Sequence, residues 1–76
     1  MSVTKLQQKR KAAGLTQHQL AARARISVRT LQYYEQGALD INKAAAATVY
    51  VLATVLGCQV GDLLDLDSVF GEFDEE

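Results

Sequence analysis

Apolar residues recur at three- and four-residue intervals through most of this chain, and residues that start or stop helices interrupt them. Val3, Leu6, Arg10 and Ala13 share one face of a first helix spanning about Val3–Ala13, with Gly14 as its stop. In Thr16-Gln17-His18-Gln19 a hydroxyl precedes a glutamine by three residues, which predicts a capping box and a second helix running to about Ala24. Only Arg25 and Ile26 separate that helix from Ser27, the expected cap of a third, Val28–Gln36, which Gly37 ends. After a loop over 38–41, Asn42 is read as the cap of a fourth helix, Lys43–Leu56, closed by Gly57. A short fifth helix over about Val60–Asp65 would carry Leu63 and Leu64. The pattern predicts an all-α fold, a compact five-helix domain over 1–66, with an acidic C-terminal tail over 67–76 whose end is expected to fray.

Composition agrees with this pattern and narrows it. Seventy-six residues make one domain at most. A chain of this size buries only about 60% of its unfolded surface, so its core is thin. Proline is absent and 49% of residues are apolar, which suits helices joined by short turns and is too apolar for a disordered tail. The single cysteine, Cys58, excludes an intrachain disulfide framework and a cysteine-based zinc site. A cytoplasmic location is expected, because the N-terminus carries no apolar signal segment and the apolar run Ala44–Leu56 is too short to span a bilayer.

The net charge of −1 argues against a nucleic-acid binder until its distribution is considered. Residues 1–34 hold Lys5, Lys9, Arg10, Lys11, Arg23, Arg25 and Arg29 and no acid, whereas residues 35–76 hold Lys43 against nine acids. The halves carry +7 and −8, an arrangement in which one end suits a polyanion and the other repels it.

Two short helices joined by so brief a link cross steeply and need small or apolar residues where they meet. Leu20, Ala21, Ala24, Ile26, Leu31 and Tyr34 supply them. Burying that set turns Val28, Arg29, Gln32, Tyr33 and Gln36 outward. These types can read base pairs: Arg bonds the guanine edge twice, Gln does the same to adenine, and Val or Tyr carbon meets a thymine methyl.

The stretch from Arg10 to Leu64 resembles the Cro and repressor-type helix-turn-helix family of bacteria and their phages. The resemblance rests on G-L-T-Q at 14–17, L-A at 20–21, the serine-capped helix, Y-E-Q-G at 34–37 and L-G-C-Q-V-G-D-L-L at 56–64. It covers nearly all the chain except the tail. It implies a five-helix domain that binds double-stranded operator DNA as a homodimer. It further implies that Gln17 donates to a phosphate, that Ser27, Val28, Arg29 and Tyr33 occupy base-facing positions, and that Asn42 and Lys43 hold a phosphate on the other side. Taken together, Val28, Arg29, Gln32 and Tyr33 are expected on bases, and Thr16, Gln17, Arg25, Ser27, Thr30, Asn42 and Lys43 on phosphates. Arg10 and Glu35 would form an internal ion pair between the first and third helices. Two positions depart from the family. Arg25 stands where Gly or Asn is frequent, at a turn that can require positive φ, and Val28 replaces a commonly polar residue, which points to a thymine methyl.

The fourth helix lacks any charge from Ala44 to Leu56. Either its neighbours cover it or part of it meets another subunit, and a symmetric dimer through Val51, Val55, Val60 and Leu64 is the expectation. His18 reads as a solvent-exposed helix residue and Cys58 as a small packing side chain. No cofactor, metal site or catalytic pair is expected, so the chain reads as a regulator and not an enzyme. The alternative is an antitoxin-like protein whose acidic, aromatic tail grips a protein partner, with DNA binding for autoregulation.

Overall fold

A computed structural model describes residues 3–65 and places four α-helices there: α1 (Lys5–Ala12), α2 (Gln17–Ala24), α3 (Val28–Gln36) and α4 (Ala46–Leu56). Single 3₁₀ turns, Ile41–Lys43 and Val60–Asp62, flank α4, and no strand occurs among the described residues. The boundary at residue 66 and the tail 67–76, with its expected protein partner, lie outside the described residues.

The first three helices start on hydroxyl caps. Thr4, Thr16 and Ser27 each accept from the backbone N–H three residues on, and Gln19 Oε1 completes the box by accepting from Thr16 N at 2.9 Å. Their ends repeat a second device. At Gly14 and again at Arg25 the chain turns left-handed, the turn residue donates back to the helix, and the next residue closes a longer loop to it. Leu15 N reaches Arg10 O at 3.2 Å, and Ile26 N reaches Ala21 O at 3.1 Å. Leu15 and Ile26, which follow these two positions, are apolar and pack against the core, so both turns aim their successors inward. Gly57 and Cys58 end α4 in the same way.

Each α-helix contributes one fully buried leucine to a common centre, Leu6, Leu20, Leu31 and Leu52, and Leu63, just after the second 3₁₀ turn, joins them. Ala21, Ala24 and Ala53 fill the close approaches, and α2 packs against both α3 and α4. Ile26 and Tyr34 are half-buried against the same cluster.

Three expectations about the elements need correction. Helix α1 begins two residues later than the apolar spacing implied, because Thr4 takes the cap, and Val3 and Ala13 are exposed. Asn42 does not cap the fourth helix. Asp40 caps the 3₁₀ turn instead, Ala44 and Ala45 run extended, and α4 starts at Ala46 with no side-chain cap. The Asn42 side chain is engaged elsewhere: it donates to Asp65 O at 3.1 Å and accepts from Asp65 N at 2.9 Å. The fifth helix is a single 3₁₀ turn. Gly61 disfavours helix there, and Asp65 N bonds to Asn42 instead of to its own segment.

Arg25 is the single non-glycine residue with positive φ among the described residues, at φ 61° and ψ 40°. A Cβ in that conformation costs about 1–2 kcal/mol. Arg25→Gly should therefore stabilise the domain by about 0.5–1 kcal/mol after the added chain entropy of glycine, raising Tm by a few degrees. Thermal melts of the two proteins check this, and an unchanged or lower Tm would refute strain at the turn.

Candidate nucleic-acid interface

The turn at Arg25 and Ile26 delivers α3 to the surface with one face on α2. Leu31 and Glu35 are buried on that face, with Tyr34 beside them. On the other side, Arg29 and Gln36 are exposed and Tyr33 is 39% exposed. Gln32 is half-buried. Val28 was expected to face outward, but it is half-buried and packs partly against the core.

A buried ion pair fixes α3 against α1. Arg10 Nε and Nη2 donate to the two oxygens of Glu35 at 2.6 and 3.1 Å, and Nη1 donates to Leu15 O at 2.9 Å. This fork-to-carboxylate geometry sets both distance and rotation between the two helices. Thr4 Oγ1 adds a bond to Glu35 O at 3.1 Å, so the cap of α1 also holds α3. The resemblance paired Arg10 with Glu35, and the pair explains why a charged residue shares the buried face of α1.

The residues expected on phosphates surround α3 unevenly. Thr16 and Ser27 are exposed and hold their caps, with Ser27 Oγ also donating to Thr30 Oγ1 at 2.9 Å. Arg25 and Lys43 are exposed, the first directly before α3 and the second in the 3₁₀ turn beyond it. Gln17 is half-buried, and its Nε2 donates to Glu35 Oε1 at 3.0 Å. Gln32 Nε2 donates to Gln17 Oε1 at 3.2 Å, a link between positions 15 apart in sequence that no local pattern signals. Asn42 uses its amide on Asp65. Burial raises the Cys58 thiol above its ordinary range, Asp62 adds to the rise and Lys9 opposes it, which keeps the sulfur in its unreactive form.

A helix-turn-helix family model matches residues 6–63. The chain belongs to the helix-turn-helix family, in its Cro and repressor-type branch. Comparison with curated proteins and with solved structures gives no match. The matched span runs from Leu6 to Leu63, two of the five fully buried leucines, and so covers all four helices except Lys5 at the start of α1. In this helix-turn-helix protein α2 and α3 are the motif, and the chain is a DNA-binding regulator of that type. Among the described residues, no helix is long and apolar enough to cross a membrane, and no group of metal-ligating side chains converges.

Removing one half of a buried ion pair leaves the other charge unpaired, which costs about 3–5 kcal/mol. Arg10→Met should therefore lower the urea midpoint sharply. Adding Glu35→Leu should restore most of the loss, since no charge is then stranded. A double variant as unstable as the two single losses combined would contradict this account.

Proposed function

We propose that this chain is a transcriptional repressor that binds a palindromic operator in double-stranded DNA as a homodimer, with α3 of each subunit in the major groove. The distribution of exposed charge carries this reading. From Val3 to Leu39 the single acid is Glu35, 4% exposed and held by Arg10, while Lys5, Lys9, Lys11, Arg23, Arg25 and Arg29 are all exposed. Helices α2 and α3 themselves therefore present no unneutralised carboxylate to a phosphate backbone.

The roles follow from position. Arg29, exposed in the first turn of α3, reads a guanine edge. Tyr33, one turn on, and the part of Val28 left uncovered by the core meet thymine methyl groups, and Gln32 meets adenine. Ser27, Thr30 and Arg25 hold the phosphate strand at the start of α3. Thr16 and Gln17 hold it at the start of α2, where unpaired backbone N–H groups and the helix dipole favour an anion. Lys43 holds a phosphate beyond α3, and Asn42 supports it with the amide hydrogen that Asp65 leaves unused.

The dimer reading is supported by an apolar cleft of about 380 Å³ beside α4, lined by Ile41, Ala44, Val49, Tyr50, Val60 and Leu64 among others. Tyr50 is 65% exposed at its edge. Val51 and Val55 are half-buried against the core nearby. A second copy meeting this face by two-fold symmetry would bury Val60 and Leu64 together with Tyr50. Its recognition helices would then lie about 34 Å apart, one turn of DNA.

Arg29→Ala is expected to weaken binding to the selected operator by about 1–3 kcal/mol and binding to random duplex by much less. Titrations on both DNAs check this, and equal loss on the two would make Arg29 a phosphate contact. Light scattering at micromolar concentration should find a species of twice the 8.3 kDa chain mass, and a monomer alone would reject the dimer.

A further inference from the structure

Arg10, Glu35, Gln17 and Gln32 form a chain of hydrogen bonds with a fixed direction. Arg10 donates to both oxygens of Glu35, and Gln17 Nε2 donates to Oε1 at 3.0 Å. Gln17 Oε1 accepts in turn from Gln32 Nε2 at 3.2 Å. A glutamine amide keeps its shape when nitrogen and oxygen exchange places, so its partners decide which way it lies. A carboxylate held by an arginine fork offers only acceptors, so Gln17 turns its nitrogen toward Glu35. Its oxygen then faces α3 and is satisfied only by a donor, so Gln32 turns its nitrogen inward. Reversing Gln32 alone would set two amide oxygens against each other, and reversing both would set the Gln17 oxygen against Glu35.

We propose that Gln17 is a positioning residue for sequence specificity: it carries the acceptor-only character of Glu35 from α2 to α3 and fixes which edge of the Gln32 amide faces a bound base pair. This rests on the DNA-reading function proposed above. Gln32 keeps its carbonyl oxygen and one amide hydrogen for the outside, in a single spatial order. That order matches an acceptor and donor pair such as adenine N7 and N6–H in one orientation only, whereas a freely turning amide would accept both. Gln17 has a second amide hydrogen, so a phosphate contact and the relay are compatible by count.

Selection of bound duplexes from a random pool by the full chain, by Gln32→Ala and by Gln17→Met, together with side-chain amide NMR of the same proteins, tests this. Gln32→Ala marks the base pair that Gln32 reads. Gln17→Met is expected to lower discrimination at that base pair by about fivefold or more, leaving the base pairs that depend on Arg29 unchanged. In the free wild-type protein, one Gln32 amide hydrogen should exchange more slowly than those of exposed Gln36, and Gln17→Met should abolish the difference. If Gln17→Met weakens binding to every sequence alike and the Gln32 preference survives, the relay is overturned and Gln17 is a phosphate contact alone. Equal exchange at Gln32 and Gln36 in the wild-type protein overturns it too, whether or not a variant folds. A wild-type selection that enriches no sequence overturns the DNA-reading function itself, and the relay's role with it, while the NMR still reports whether the hydrogen-bonded chain exists.

Discussion

The bond between Arg10 and Glu35 is the constraint on which the arrangement depends. Two charges withdrawn from water in so small a domain are tolerable only if every donor and acceptor is met, and here they are: no buried side-chain nitrogen or oxygen among the described residues lacks a partner. The guanidinium spans α1, α3 and the turn between α1 and α2 through Glu35 and Leu15 O. The carboxylate is also the one acid in the first 39 residues, so the pair neutralises the one negative charge on α2 and α3 that would oppose a polyanion. Stability and electrostatics therefore rest on the same two side chains.

The leucine core supplies cohesion, and the ion pair supplies register. Leucines can slide past one another at little cost, whereas a two-pronged bond between planar groups is lost within a small rotation. A recognition helix has to present its outward residues at a defined angle, which makes directional bonds more useful here than added apolar area. The Gln17 and Gln32 amides extend the same directional set from the buried pair toward the surface.

Much of the fold was legible in the sequence because its signals are local. Thr16 with Gln19, Ser27 before Val28, and Gly14, Gly37 and Gly57 act within four or five residues, and those boundaries were read to within a residue. One misreading falls where a distant partner competes with a local signal. Asn42 looks like a cap and is instead pinned to Asp65, 23 residues away. The segment after Val60 forms one 3₁₀ turn in place of the helix read there, and Asp65 beyond it bonds to Asn42. Val28 was placed outward by helical spacing, but its position in the first turn of α3 leaves it against the core. Of the interface, the exposed face of Arg29 and Tyr33 followed from periodicity, while the Gln17–Gln32 link depends on how α2 and α3 cross and has no sequence signature.

The left-handed turn at Arg25 has an entropic corollary for the phosphate contact proposed there. A glycine there would relax the turn and carry no charge. Arginine accepts a strained backbone and thereby roots a cation on main chain that folding has already immobilised. Its first bonds leave the protein in a direction set before any encounter, so only the outer torsions of the side chain remain to be ordered on contact. The strain is thus a form of preorganisation, settled at folding and not at association.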